Sequence, residues 1–528
     1  MHSGYLALVF NAHLPFVRQP EYARFLEERW LFEALSETYL PLLRLFRRLD
    51  AEGLPWKLTL SLSPTLTAML SDGLLAERYV AYLASQSELA AKEAARVGSD
   101  PVFGPLARLY EDLYRSDRED FCDYYERDVL GAFDYFYKKG RLEIITSAAT
   151  HCFLPSYRES QEAVTAQIET ALVSHRRAFG KHPGGFWLPH LGWYPGLDEL
   201  LRSYNIQYSV VTTKGALLGE PTPRSGSFAP VQSPAGLTLF IRDAAATEAV
   251  WSESSGYPAD PLYRDFYRDI GFDLPLDYVG PYVEEGPTRT FTGFKYWAVT
   301  GRTDQKRPYD AAAARARADE HAAAFLADRV AAAKPVAALI DKPALMVCPY
   351  DAELFGHWWF EGPSWLESVF RRAAREPELR LATLGEYHRL YPEAQVSMPE
   401  FSSWGDGGYA EVWIDGANDW IYRHAFKATE RMSELAERFP DESGLRERIL
   451  NQAAREVLLM MGSDWAFLMR AGKSSAFARR QIEDAVTNFN RIYEMLSSNT
   501  VGTEWITRLE KRDNLFPDIN YRIFRKKR

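Results

Sequence analysis

Short apolar runs recur along this chain, and most are separated by helical stretches. They lie at residues 6–10, 57–63, 142–146, 184–190, 208–212, 237–241, 344–348 and 379–383. Helical spacing of apolar residues fills the intervals at 21–49, 64–140, 157–179, 196–204, 310–333 and 364–375. Strands that alternate with helices confine the fold to an α/β class with a mostly parallel sheet, open or closed as a barrel. Such sheets present ligand-binding and catalytic residues at the carboxyl ends of their strands. No glycine-rich dinucleotide or phosphate-loop fingerprint follows any of these runs, which argues against Rossmann or kinase-like chemistry.

The chain has 528 residues, more than one ordinary core accommodates, so two or three structural units are expected. After residue 392 the pattern changes. A glycine- and aromatic-rich linker at 402–413 precedes helical patterns at 419–439, 443–471, 474–497 and 503–511. The expected division is therefore 1–392, an α/β unit with a helical insertion at about 64–140, and 393–528, a linker and helical unit. Two long segments stand apart: an irregular, aromatic one at about 245–304, and a Gly-, Pro- and Ser-rich loop at 217–236.

A net charge of −10 without a basic stripe argues against nucleic acid, and the basic ending 525–528 reads as an exposed tail. No run is long enough to span a bilayer. The amino-terminal apolar run lacks the flanks of a signal peptide and reads as a first strand. Three widely spaced cysteines, Cys122, Cys152 and Cys348, form neither a disulfide framework nor a metal cluster, which suits a reducing cytoplasm.

Four polar clusters fall at strand ends: Asn11 with His13, residues 146–151 ending in His151, His190 with Trp193 and Tyr194, and Asp351 with Glu353 and His357. The last lies in Pro349-Tyr-Asp-Ala-Glu-Leu-Phe-Gly-His-Trp-Trp-Phe-Glu-Gly362, where Trp358 and Trp359 add an aromatic wall. A purely structural rim loop is the plain alternative, with solvated acids and core-capping aromatics. His13, His151, His190 and Asp351 have donors suited to zinc or iron, but no closely spaced histidine pair supports a metal site, and none is expected.

These motifs carry a resemblance. Ala12-His-Leu-Pro15, Glu143-Ile-Ile-Thr-Ser-Ala-Ala-Thr-His151, Gly185-Phe-Trp-Leu-Pro189 and Pro349 through Trp359 are matched in order. So are Ser403-Trp-Gly-x-x-Gly408, Asn418-Asp-Trp420, Trp251-Ser252 and Ser463-Asp-Trp465. The chain resembles glycoside hydrolase family 57, and within it the α-1,4-glucan branching enzymes, over essentially its whole length. The resemblance implies a (β/α)7 barrel with an inserted helical subdomain and a carboxy-terminal helical domain. It implies α-1,4-glucans (glycogen, amylose, maltooligosaccharides) as partners, no cofactor, and transfer of chains to form α-1,6 branches with retention. It places the acid/base on Asp351. It implies glucan contacts at His13, His151, Trp187, Trp251, His357, Trp358, Trp359, Trp404, Trp413, Asp464 and Trp465.

At the position of the family's glutamate nucleophile the chain carries His190. A neutral imidazole supplies no negative charge to balance an oxocarbenium-like transition state, and a protonated one adds charge of the wrong sign. Two further departures accompany it: Asn11 stands where the family usually has a first histidine, and the 217–236 loop lacks the tyrosine that favours transfer over hydrolysis in branching enzymes. Whether the chain is an enzyme therefore stays open. It is a glucan-acting homologue with double displacement lost or strongly impaired, serving as a glucan-binding regulatory pseudoenzyme, or an active hydrolase or transferase with a non-standard mechanism. In that second case His190 is the general base for water opposite Asp351.

Overall fold

The computed structural model describes residues 3–526 except 253–254, 284–288, 302, 406, 499 and 501. Parts of the aromatic segment, Asp406 of the Ser403–Gly408 motif, and Lys527 and Arg528 of the basic ending thus lie outside the described residues.

The strands, in chain order, are β1 (Gly4–Ala12), β2 (Leu58–Leu62), β3 (Leu142–Ser147), β4 (Phe186–Trp187), β5 (Tyr208–Val211), β6 (Val231–Gln232), β7 (Thr238–Ile241), β8 (Ala344–Asp351), β9 (Leu379–Leu381) and β10 (Gln395–Val396). β4, β3, β2, β1 and β8 pair in that order, all parallel. β5 pairs with β7, also parallel. Parallel bridges Gly185–Tyr208 and Arg242–Val347 join β4 to β5 and β7 to β8. The ring thus closes as a seven-stranded parallel barrel, β1-β2-β3-β4-β5-β7-β8. β9 pairs with the first residues of β1 at the amino-terminal end. β6 and β10 form a small flap beside β7.

Every residue of β1 is buried. A barrel strand is covered on both faces, by the interior and by the helical ring, so its sequence runs apolar without alternation. The two faces still separate by parity. Tyr5, Ala7 and Val9 of β1 join Leu345 and Val347 of β8, Ile145, Trp187, Val210 and Phe240 in the barrel interior. Leu6, Leu8 and Phe10 instead join the larger core beneath the helices. Continuing the odd-numbered row upward brings Asn11 and Asp351 to the carboxyl-terminal mouth, where they are register partners.

Several sequence expectations change in detail. The 21–49 helix begins only at Glu28 and is interrupted by a wide turn, Leu35–Tyr39, before Leu40–Ala51. The fourth strand spans only Phe186–Trp187, because Pro189 lacks an amide donor and His190 and Leu191 adopt positive φ (59° and 50°), which no extended strand accommodates. The 64–140 insertion is four α-helices, Pro64–Leu70, Gly73–Val97, Phe103–Arg118 and Val129–Lys138, with a wide turn at Glu119–Tyr124. The 217–236 loop contains β6.

In the carboxy-terminal unit, Trp420–Arg438, Gly444–Met460, Ser463–Ala471, Ser475–Ser498 and Thr503–Arg512 are helical. The expected 443–471 helix is split at Gly462, which bridges to Cys152 and so swings Ser463 and Asp464 over the barrel mouth. The 402–413 segment is no free linker. Ser402, Ser403, Ala410 and Trp413 are buried, and Ser402 exchanges backbone hydrogen bonds with Trp193. Cys122 is half-buried, Cys152 and Cys348 are buried, and all three are free thiols. Among the described residues no helix is long and apolar enough to cross a membrane.

Candidate active site

The strand ends bring three imidazoles into contact. His13 and His151 stack with nearly parallel planes at 3.8 Å between centroids, and His190 meets His151 edge-on at 4.9 Å. Desolvation, then the neighbouring His13, holds His151 well below the usual imidazole range, with His190 a further contribution. Burial and His13 do the same for His190, so both are neutral near pH 7. Parallel stacking turns the lone pairs of His13 and His151 away from any common point. Among the described residues no group of three or more His, Cys, Asp or Glu is arranged to hold a metal ion.

Asn11 ties this row to the acid. Its amide nitrogen donates to Asp351 Oδ1 at 3.2 Å and lies 3.4 Å from His151 Nε2. An amide group has two N–H donors, so one residue serves both acceptors. Burial pushes the Asp351 carboxyl up to about 6, with the Asn11 hydrogen bond pulling partly back. That is the range a general acid needs to hold a proton and release it near neutrality.

Glu353 is not a solvated rim acid. It is buried, accepts from the His13 amide at 3.2 Å and from the Tyr39 hydroxyl, and burial pushes it to about 8. Tyr39 reaches it from the wide turn Leu35–Tyr39, which also carries Glu37. His357 Nδ1 lies 3.1 Å from Glu37 Oε2, and the Arg264 guanidinium lies 3.6 Å from it. Burial raises the Glu37 carboxyl, but the charges of His357, Lys295 and Arg264 override this and hold it at about 2. His357 is thereby anchored below the aromatic wall.

From the helical unit, Asp464 accepts from His13 Nε2, both oxygens at 3.0 Å, while His13 Nδ1 meets Ser63 Oγ at 2.8 Å. Ser463 Oγ lies 2.7 Å from His190 Nε2 and donates to the His151 carbonyl. His190 also lies against Trp413, with centroids 4.2 Å apart and an interplanar angle of 25°, and its carbonyl accepts from the Trp404 amide at 2.8 Å. Asp351, Glu353 and Asp464 are hydrogen-bonded to Asn11 and His13, and Glu37 to His357.

The tryptophans divide by exposure. Trp251 (55% exposed) and Trp358 (46%) present open faces, Trp358 resting on Phe266 at 4.3 Å. Trp404 is half-buried and meets Trp187 edge-on. Trp187, Trp359, Trp413 and Trp465 are closed in the core, which leaves no face on which a sugar could stack. Tyr39, Ser63, Glu37 and Ser463 carry contacts at the site that no sequence pattern singled out. Ser463 alone lay inside a recognised motif.

Comparison with known proteins gives this arrangement its relatives. The model of glycosyl hydrolase family 57 matches residues 7–399, and that of the carboxy-terminal part of 1,4-alpha-glucan branching enzyme matches 424–524. The solved alpha-amylase AmyC of Thermotoga maritima is 37% identical, with a TM-score of 0.94 and full coverage of both chains. The branching enzyme of Pyrococcus horikoshii is 27% identical, with a TM-score of 0.89 over 100% of this chain and 97% of that one. The 1,4-alpha-glucan branching enzyme of Thermococcus kodakarensis is 29% identical over 98% of this chain and 78% of its own length. The chain belongs to glycosyl hydrolase family 57, and its carboxy-terminal region is of the branching-enzyme type.

Proposed function

We propose that this protein binds α-1,4-glucan in the mouth of its barrel and that retaining chain transfer there is lost or strongly impaired at His190. The observation that carries the reading is the state of that imidazole: neutral, hydrogen-bonded through Nε2 to Ser463 and packed on Trp413. Where a retaining enzyme needs a carboxylate about 5–5.5 Å from its acid, this chain offers a group without charge. Neither nearby carboxylate replaces it. Glu353 holds its proton near neutrality and is tied to Tyr39 and the His13 amide, and Asp464 is engaged with His13.

In this reading Asp351 keeps the acid/base position. Glucan contacts fall to His13, His151, His357, Asp464 and the open rings of Trp251, Trp358 and Trp404. Trp187, Trp359, Trp413 and Trp465 shape the walls behind them. Residues 1–392 form the barrel unit and 393–528 the helical unit that closes its mouth, and the cytoplasm is the proposed compartment. A second reading, an active α-glucan hydrolase or transferase with a non-standard mechanism, draws support from the similarity to AmyC. It would use His190 as the base for water, with inversion.

The test is incubation of the purified protein with amylose, followed by iodine staining and reducing ends, for the wild type, Asp351→Asn and His190→Glu. Maltoheptaose binding without turnover, and activity gained only by His190→Glu, is the expected result. Ordinary wild-type turnover abolished by Asp351→Asn would overturn it.

A further inference from the structure

The hydroxyl of Ser463 has one proton and two neighbours, His190 Nε2 at 2.7 Å and the backbone oxygen of His151. A carbonyl oxygen only accepts, so the hydroxyl proton goes there. What remains for His190 is a Ser463 lone pair, and a ring nitrogen that faces a lone pair must itself carry hydrogen. His190 is therefore the Nε2–H tautomer, and its basic lone pair sits on Nδ1. Nδ1 has no hydrogen-bond partner among the described residues, yet it is absent from the buried polar atoms left without one, and the side chain is only half-buried. A half-turn about Cβ–Cγ would keep the ring plane against Trp413 (4.2 Å) but put carbon where Nε2 meets Ser463, so the Ser463 contact sets the ring orientation, and the backbone is held at φ 59° and by the Trp404 amide.

We propose that Ser463, delivered by the helical unit, is a positioning residue that fixes His190 in the Nε2–H form, so that Nδ1 meets the cleft as a hydrogen-bond acceptor for a hydroxyl donor, either a glucan hydroxyl or water. The break at Gly462 then has a purpose, since a continuous helix through this point would not deliver Ser463 to the His151 carbonyl. The tautomer assignment is independent of the ligand, whereas the identity of the donor rests on the glucan-binding reading above.

The experiment is long-range 1H–15N correlation NMR on the full chain with 15N-labelled histidine. The His190 signals are assigned by their loss in His190→Gln, and tautomers are read from which ring nitrogen is protonated. Expected are a pure Nε2–H pattern in the wild type, its retention in Ser463→Thr, and a mixture or an Nδ1–H pattern in Ser463→Ala. An Nδ1–H pattern in the wild type, or an unchanged pattern in Ser463→Ala, overturns the assignment. Added maltoheptaose should move the His190 Nδ1 resonance, and Ser463→Ala should weaken its binding about three- to tenfold. If maltoheptaose binds and Nδ1 does not move, the glucan hydroxyl is excluded as the donor. If maltoheptaose does not bind at all, the glucan reading fails while the tautomer result stands.

Discussion

Replacing His190 by glutamate tests the electrostatic reading most directly. A carboxylate oxygen about 3 Å from a developing sugar cation, at an effective dielectric constant of about 20, contributes roughly 5.5 kcal/mol, or about 10⁴ in rate. The surroundings in this structure subtract from that gain. The single Ser463 proton is already given to the His151 carbonyl, so an introduced carboxylate would compete with that carbonyl for it. One of two buried acceptors would then go short by about 1–3 kcal/mol. Trp413, 4.2 Å from the imidazole, would also turn the negative face of its ring toward the new charge. The net expectation is about a hundred- to thousandfold rise in turnover, not a full restoration. The assay is initial-rate release of reducing ends and branch formation on amylose, with His190→Gln as a control of similar size and no charge. If His190→Gln gains as much as His190→Glu, or if neither changes a wild-type rate that is already high, the electrostatic account is wrong.

Removing the imidazole instead, His190→Ala with azide as an external nucleophile and maltoheptaose as donor, should yield the β-azide by a single inversion while Asp351 protonates the departing sugar oxygen; mass spectrometry detects the product, and its absence in the doubly substituted Asp351→Asn protein is the control. For any variant that gains activity, the rate should fall as pH rises through about 6, because burial lifts Asp351 to that value and the protonated form is the acid. Glu353 predicts a pH-dependent stability. Its carboxyl is raised from the usual 4.5 to about 8 in the fold, so its stabilising contribution is complete below 4.5 and lost as pH climbs through about 8. Glu353→Gln should therefore flatten the urea midpoint against pH across that window and gain on the wild type above it. Gly356 has φ 113°, and a Cβ there would lie 1.7 Å from the Glu37 carbonyl oxygen. Gly356→Ala should cost roughly 3 kcal/mol or more in denaturant unfolding and displace His357 from Glu37.

Much of the fold was legible because its causes are local. Apolar runs such as 6–10 and 344–348 had to be strands covered on both faces, and the helical spacing between them forced parallel crossovers. Strand parity then placed Asp351 inward as soon as β8 was known to continue past Cys348. The family motifs likewise marked His13, His151, His190, Asp351 and Asp464 without coordinates.

What the sequence could not specify are relations between distant segments. Tyr39 reaches Glu353 only because a wide turn rotates the first long helix by a fraction of a turn, and no residue pattern announces such a turn. Nothing in the chain order couples Ser463 to His190 across 273 positions, or reveals that one hydroxyl proton decides which nitrogen of an imidazole faces the cleft. Residue types and their local spacing determined a mostly parallel α/β sheet and the polar clusters at its strand ends, while the closed barrel was implied by the family resemblance alone. The protonation, tautomer and exposure of those residues depend on burial and on partners brought from far along the chain, and only tertiary packing sets these.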